Sequence, residues 1–236
     1  MRTDRHDPTL STRRLNVKKL PLLALLLAGL VPSAHAQVFG QYTPAGILPV
    51  NSRLGGAYVD FSENAVGLLA QLRLSFYPNV DFGFQGGLSR LDLETHSKET
   101  DTWQTSRKTS LRLATDVRFG VARASASQPV DLAVGGGLGV ETSDNYTLLR
   151  LGPSVVASRS FTFSNNASVA PYAGLMLLFS SQSLGGESAT DFSLPARLGA
   201  ELRSIPGVSL TAEIQLRIAD DFYDHTGFSA GVNLPF

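Results

Sequence analysis

Residues 208–218 have the sequence VSLTAEIQLRI, in which an apolar residue stands at every second position. The positions between them are occupied by Ser209, Thr211, Glu213, Gln215 and Arg217. Because successive side chains of a β-strand point to opposite faces, this alternation predicts a strand with one apolar face and one polar, charged face.

The same alternation recurs along the chain from about residue 53 to the C-terminus, without the 3.6-residue period of an amphipathic helix. The predicted strands lie near residues 55–61, 68–76, 80–88, 111–119, 130–140, 149–157, 169–179, 192–202, 208–218 and 228–236. No charged residue stands on the apolar faces of the last nine. The pattern predicts an all-β domain of ten antiparallel strands, or of eight if the weak first strand and a neighbour are excluded.

The N-terminal 36 residues predict a secretory signal peptide. Six basic residues accompany a 12-residue apolar stretch, Leu20–Val31, and Ala34-His35-Ala36 suits cleavage after Ala36. A membrane anchor needs about 20 apolar residues, which disfavours the alternative of an uncleaved segment. The pair Arg13-Arg14 resembles a twin-arginine signal, but that route carries folded proteins, whereas a barrel should cross unfolded. Cleavage would leave 14 basic and 18 acidic residues, a net charge of −4.

The mature chain is expected to comprise an irregular segment, residues 37–52, and a strand domain, residues 53–236. Alternation alone also fits a soluble barrel or sandwich with its apolar face inward. Export, strands of about 9 to 13 residues, glycines on the polar face and aromatics at strand ends, such as Phe76 and Tyr77, favour lipid contact instead. Since lipid cannot satisfy an open sheet edge, we expect a closed antiparallel up-and-down transmembrane β-barrel.

The last strand, FSAGVNLPF at residues 228–236, places Phe228, Val232, Leu234 and Phe236 on one face and ends on an aromatic residue. This resembles the C-terminal signature of bacterial outer-membrane β-barrels, although Pro235 departs mildly from it. The resemblance covers about residues 53–236. It implies a bacterial outer-membrane location, contact with outer-membrane lipid and recognition by the barrel-assembly machinery.

An even number of strands places both termini in the periplasm. Short periplasmic turns are then predicted near residues 78–79, 123–129, 162–166 and 205–207. Outer loops are predicted near residues 63, 92–107, 142–145, 182–189 and 220–226, of which Asp92–Arg107 is the longest.

The polar faces carry seven arginines and seven acidic residues, and no lysine. They are Arg73, Arg112, Arg118, Arg150, Arg197, Arg203 and Arg217, with Asp81, Asp116, Asp131, Glu141, Asp191, Glu201 and Glu213. A small barrel has little interior room, and arginine pairs well with buried carboxylates. We therefore expect an ion-pair network that closes the lumen, with Arg118–Asp131 and Arg197–Glu213 as cross-strand pairs.

A closed lumen favours a non-enzymatic barrel with an envelope-structural or surface-interaction role. The alternative is a narrow porin-like channel lined by these charges. A second alternative is a hydrolase using Asp224 and His225 at the outer rim, similar in spirit to omptin proteases, but no second matched Asp pair is found. We predict no catalytic set, metal site or cofactor. The chain has no cysteine, and its charge offers no basic footprint for nucleic acid.

Overall fold

A computed structural model describes residues 41–62, 65–97, 102–163, 167–217 and 226–236, without the side chains of 92–97, 102–106 and 217. The described residues form thirteen β-strands. These are β1 (Arg53–Ser62), β2 (Ala65–Tyr77), β3 (Val80–Ser97), β4 (Thr102–Ala122), β5 (Asp131–Ser143), β6 (Tyr146–Ser158), β7 (Phe161–Thr162), β8 (Ser168–Met176), β9 (Leu178–Leu184), β10 (Glu187–Ser193), β11 (Pro195–Ile205), β12 (Val208–Arg217) and β13 (Gly227–Pro235). Among them, no helix is long and apolar enough to cross a membrane.

The strands form a single closed antiparallel sheet. The first strand, β1, pairs with the last, β13, and β6 pairs with both β8 and β9. β8 and β9 together make one barrel strand, as do β10 and β11, while β7 is a two-residue addition beside β8. The molecule is therefore a closed barrel of ten strands, as predicted, and the eight-strand alternative is wrong.

Two prolines explain why two barrel strands are interrupted. Pro153 of β6 lies opposite Leu177, the residue between β8 and β9. Pro195, at the start of β11, lies opposite Met176 at the end of β8. Proline has no N–H to donate, so the hydrogen-bond ladder loses a bond at each position. One bond survives across the first gap, from Leu177 N to Pro153 O at 3.0 Å, and the register does not shift.

Side-chain exposure is inverted relative to a soluble protein. On β2, Leu68 is 64% exposed whereas Arg73 is completely buried. The same inversion holds along the other barrel strands, where large apolar residues such as Leu113 and Leu198 face outward. An apolar exterior and a polar interior are what a membrane barrel requires.

The C-terminal strand β13 places its predicted signature residues on the exterior. Val232, Leu234 and Phe236 are exposed, and Phe228 is half-buried. Asn233, on the opposite parity, is fully buried. The strand therefore has the amphipathic alternation that the sequence predicts.

Two predicted outer loops are largely strand. β3 continues to Ser97 and pairs with β4 from Thr102, so most of the predicted loop 92–107 is a β-hairpin. Similarly, β9 and β10 flank a turn at Gly185-Gly186, where loop 182–189 was predicted. These corrections share a cause, because strands beyond the bilayer need no apolar outer face. In β3, the parity that is apolar up to Leu88 continues with Arg90, Asp92 and Glu94.

Candidate functional site in the barrel lumen

The segment that precedes β1 lies inside the barrel. Gln41, Tyr42, Thr43 and Ala45 are at most 4% exposed, although none belongs to a strand. Further along, Ile47 packs against a buried cluster that includes Ala45 and wall residues. We refer to residues 41–48 as the N-terminal plug. Sequence analysis predicted an irregular segment here but not its position in the lumen.

The first residue of the plug reaches across the interior. Arg197 Nη2 of β11 donates a hydrogen bond to Gln41 Oε1 at 2.6 Å. Gln41 Nε2 donates in turn to Ser154 Oγ of β6 at 3.4 Å. One amide side chain thus joins two separate barrel strands.

Tyr42 attaches the plug to a charged cluster on the wall. Its ring stacks on Tyr58 with 4.3 Å between ring centroids. Its hydroxyl donates to the Asp60 carboxylate, at 2.9 Å to Oδ1 and 3.1 Å to Oδ2. Asp60 also pairs with Arg112 Nη1 at 2.9 Å, and Arg112 lies 3.9 Å from Glu141. The plug is therefore bound to charges that themselves span several strands.

Thr43 and Pro44 are held by Arg118. Arg118 Nη1 donates to Thr43 Oγ1 at 3.0 Å and to the Pro44 carbonyl oxygen at 2.8 Å. The next residue, Ala45, donates its backbone N–H to Ser158 Oγ at 3.0 Å. Three consecutive plug residues are thus fixed to β4 and β6.

Arg118 belongs to a second buried charge cluster. Arg73 Nη2 lies 2.6 Å from Asp81 Oδ1 and 2.7 Å from Asp116 Oδ1. Arg118 Nη2 lies 2.7 Å from Asp81 Oδ2. Gly83 stands opposite Asp116 in the sheet, and a Cβ there would lie 2.7 Å from Arg73 Nη1. A glycine on the polar face therefore makes room for the Asp116 carboxylate and the Arg73 guanidinium.

Two lumenal tyrosines also lie against glycines of the wall. A Cβ at Gly231 would clash with the Tyr58 ring, and one at Gly199 would clash with the Tyr172 ring. The hydroxyl of Tyr58 bonds Asn233, and that of Tyr172 donates to Glu213 Oε2 at 2.9 Å. The glycines seen on the polar face in the sequence therefore let large side chains lie flat along the wall.

One of the two predicted cross-strand pairs is confirmed. Arg197 Nη1 lies 3.8 Å from Glu213 Oε2. In the sheet, Arg197 stands opposite Gln215 and Glu213 stands opposite Gly199, so the pair is diagonal, as predicted.

The predicted Arg118–Asp131 pair is wrong. Gly135, not Asp131, stands opposite Arg118, and the β4–β5 register shifts between Gly120 and Ala122. Asp131 accepts a hydrogen bond from Ala124 N at 2.9 Å in the exposed turn. Arg118 instead uses its other neighbour, because Asp81 of β3 stands directly opposite it.

The remaining predicted lumen residues occupy different depths. Arg150 and Glu201 are buried, and Asp191 is half-buried. Arg203 is exposed and pairs with Glu201 at 2.6 Å, so it lies at the rim rather than in the closed interior. The side chain of Arg217 and both Asp224 and His225 lie outside the described residues.

Sequence analysis missed the part that β1 plays in the lumen. Tyr58 and Asp60 stand on the parity opposite Val59 and Phe61, both of which are exposed. This alternation in the sequence could have placed Tyr58 and Asp60 in the lumen. Asp60 was overlooked because the glycine-rich start of β1 weakens its alternation.

Among the described residues, a large cavity lies at the end of the lumen that is predicted to face the periplasm. A cavity of about 760 Å³ lies between the plug and the periplasmic turns, with Leu48, Arg53, Arg203 and Pro206 among its lining residues. Farther in, cavities beside Arg150 and beside Arg112 measure about 10 Å³ each. A volume of that size holds about one water molecule.

Comparison with solved structures finds other membrane barrels at low similarity. The β domain of the Bordetella autotransporter BrkA is 11% identical, with a TM-score of 0.47, over 80% of this chain and 100% of that one. An outer membrane channel from Pseudomonas putida F1 is 10% identical, with a TM-score of 0.42, over 85% and 100% of the two chains. The KdgM porin, solved with a disordered oligogalacturonate, is 10% identical, with a TM-score of 0.34, over 78% and 99%. A search of curated proteins gives no significant match.

These low-identity structural matches do not identify the family of the chain, whereas a match to a protein-family model does. A family model described as the outer membrane protein beta-barrel domain matches residues 20–236. That match covers the whole described barrel, including its plug. The chain therefore belongs to the outer membrane protein beta-barrel family and is an integral outer-membrane β-barrel protein.

Proposed function

We propose that this barrel is closed to solutes and serves an envelope-structural or surface-interaction role rather than transport or catalysis. The observation that carries the proposal is the N-terminal plug inside the lumen. A closed interior leaves the lipid-facing surface and the two rims as the parts through which the protein can act.

The contacts of the plug support closure because they come from around the whole barrel. Its hydrogen bonds involve side chains on β1, β4, β6, β11 and β13. These strands are distributed around the closed sheet. A segment that touches all of them must cross the interior rather than follow one wall.

Displacement of the plug would be costly. Arg118 would lose two hydrogen bonds and Asp60 would lose the Tyr42 hydroxyl. Each hydrogen bond to a charged group contributes about 1.5 to 3 kcal/mol, and an unsatisfied buried partner costs a similar amount. The closed state should therefore predominate in the resting protein.

Conductance in planar bilayers tests the proposal. The refolded mature chain should give no stable current steps. A variant lacking residues 37–48 should give steps, because the plug no longer fills the interior of the barrel. A matched control variant lacks Ser125–Ser127, which lie in an exposed turn. Like the intact chain, it should give no stable current steps. Stable steps from the intact chain would contradict closure and favour the narrow-channel alternative.

The hydrolase alternative stays a prediction, since Asp224 and His225 lie outside the described residues. His225→Ala would leave the closed barrel unchanged and would remove any activity that depends on that rim.

We also propose that residues 1–36 are removed on export and that the barrel-assembly machinery recognises Phe228–Phe236. The basic start, the short apolar stretch and Ala34-His35-Ala36 support cleavage. N-terminal sequencing of protein extracted from the outer membrane should begin at Gln37. Recovery of a chain that still contains Leu20–Val31 would show that the segment is retained.

A further inference from the structure

The cavity between the N-terminal plug and the predicted periplasmic turns is large enough for a small-molecule ligand. Its volume of about 760 Å³ lies within the roughly 300 to 1,000 Å³ that is typical of ligand sites. Apolar side chains, among them Leu48, Ile205 and Val208, line part of it, and arginine and serine side chains line much of the rest. The cavity therefore offers apolar surface for the body of a ligand and polar groups that fix its orientation.

The acidic groups that line the cavity already have donors. Glu201 accepts a hydrogen bond from Arg203 Nε at 2.6 Å, and Asp131 accepts one from Ala124 N at 2.9 Å. The two arginines of the buried charge cluster, which also line the cavity, are bound to carboxylates deeper in the lumen. These charges are therefore at least partly satisfied before any ligand enters.

Three side chains of the cavity wall have hydrogen-bond donors to spare. Arg203 uses Nε for Glu201, and its side chain is 64% exposed, so Nη1 and Nη2 have no acceptor among the described residues. Ser209 is only 5% exposed, yet its hydroxyl has no partner in the described part of the chain, and neither has that of Ser168. A buried hydroxyl in a folded protein usually has a hydrogen-bond partner. The free groups of this wall therefore suit a ligand that supplies acceptors.

The sheet register brings these three side chains together. Arg203 of β11 stands directly opposite Ser168 of β8, and opposite residues have Cβ atoms about 4.5 to 5.5 Å apart. On the other side of β11, the pairing with β12 shifts between Leu202 and Ile205, and Ser209 lies at this shift. Residues two positions along each of the three strands are buried in the lumen, so all three side chains point inward. One guanidinium and two hydroxyls thus converge from adjacent strands.

We propose that this cavity binds a soluble periplasmic ligand through an oxyanion, a carboxylate or a phosphate, which accepts hydrogen bonds from Arg203, Ser168 and Ser209. A guanidinium group binds either oxyanion through two parallel hydrogen bonds. Arg53, which is exposed and also lines the cavity, has no side-chain partner among the described residues and adds positive charge. The proposed site deepens the envelope role described above and rests on it.

A single introduced cysteine can report on the cavity, because the chain has none of its own. Ser160→Cys places a thiol on an exposed residue that lines the cavity but is not one of the three proposed donors. Its rate of reaction with N-ethylmaleimide is measured on the refolded barrel in phosphatidylcholine nanodiscs. The probes are acetyl-trialanine, which carries one carboxylate, and glycerol 3-phosphate, with acetyl-trialanine amide as the uncharged control. At least one charged probe should slow the reaction saturably, and the amide should not.

Substitutions in the same reporter background then locate the oxyanion. Arg203→Gln should raise the half-protecting probe concentration roughly tenfold or more, because hydrogen bonds to a charged group are lost. The glutamine amide can still donate to Glu201, so this variant should keep the heat-modifiable gel mobility of the folded barrel. Ser209→Ala should raise the concentration about threefold. Arg123→Gln is the matched control and should change nothing, since Arg123 is exposed, binds Asn79 and does not line the cavity.

The possible outcomes separate the site from its alternatives. Absence of protection by both charged probes, or protection that Arg203→Gln does not weaken, would overturn the site. A Ser160→Cys thiol that stays unreactive without any probe would also overturn it, because the cavity would then be closed to solutes. Protection that requires phosphatidylglycerol in the nanodiscs would assign the arginines to lipid headgroups and would contradict a soluble ligand. None of these readouts depends on conductance, so a failure here is distinct from a failure of the closed lumen.

Discussion

Replacement of Asp81 by asparagine is expected to destabilise the barrel by about 3 to 5 kcal/mol, because a buried ion pair that loses one partner leaves an uncompensated charge. Asp81 is fully buried and bridges Arg73 and Arg118. Arg73 retains Asp116, but Arg118 is left with the neutral oxygens of Thr43 and Pro44. Urea unfolding in lipid vesicles, followed by gel mobility, measures the change in the free energy of unfolding.

Two further variants make this result specific. Asp81→Asn combined with Arg118→Gln should be less destabilised than Asp81→Asn alone, because no charge is then left without a partner. Asp131→Asn is the matched control, since this half-buried acid at the start of β5 accepts a hydrogen bond from Ala124 N rather than from a lumenal arginine. If Asp81→Asn and Asp131→Asn had equal small effects, the lumenal charges would be solvated rather than buried.

A lipid-facing charge should have a comparable effect on the opposite side of the wall. Leu198→Arg is expected to cost about 2 to 4 kcal/mol, the penalty for arginine near the bilayer midplane. Leu198 is 51% exposed near the middle of β11, opposite Ala173 and Ile214. The same unfolding assay measures this cost, and assembly in cells should fall with it.

The control for this second prediction is the same charge placed at the edge of the bilayer instead of near its midplane. Ile205→Arg places the same charge on the same strand, but at the exposed periplasmic turn. Near the membrane interface the penalty falls to about 0 to 1 kcal/mol. A Leu198→Arg variant as stable as Ile205→Arg would mean that the apolar face does not lie in hydrocarbon.

The barrel itself could be predicted from sequence because its two faces obey a strict period. Each strand within the bilayer must present apolar residues to lipid and polar residues to the lumen, as Leu68 and Arg73 do on β2. That requirement ends outside the bilayer. The outer parts of β3 and β4 therefore do not continue the apolar face of these strands, and they were predicted as loop.

The sequence could predict which charged residues face the lumen, but not which of them pair with each other. The alternation of the strands placed Arg73, Asp81 and Arg118 in the lumen. A barrel residue has neighbours on two adjacent strands, however, and alternation does not show which neighbour it pairs with. Register decided that Arg118 pairs with Asp81 rather than Asp131. Where the expected neighbours were joined by a tight turn, as for Arg197 and Glu213, the prediction was confirmed.

The plug could not be predicted from any period because residues 41–48 form no strand. Its position depends on long-range contacts, such as those from Gln41 to Arg197 and from Tyr42 to Asp60. No local pattern in Gln41–Ala45 indicates such partners.

The position of the plug is the central claim, and an introduced disulfide tests it most directly. The chain has no cysteine, so Ala45→Cys with Ser158→Cys creates a unique pair, at a place where Ala45 N lies 3.0 Å from Ser158 Oγ. After mild oxidation in intact outer membranes, the two thiols should form an intramolecular disulfide, seen as a shift in non-reducing gel mobility. If both thiols instead stay reduced and react freely with a membrane-impermeant maleimide, the segment does not lie in the lumen and the closed barrel is contradicted.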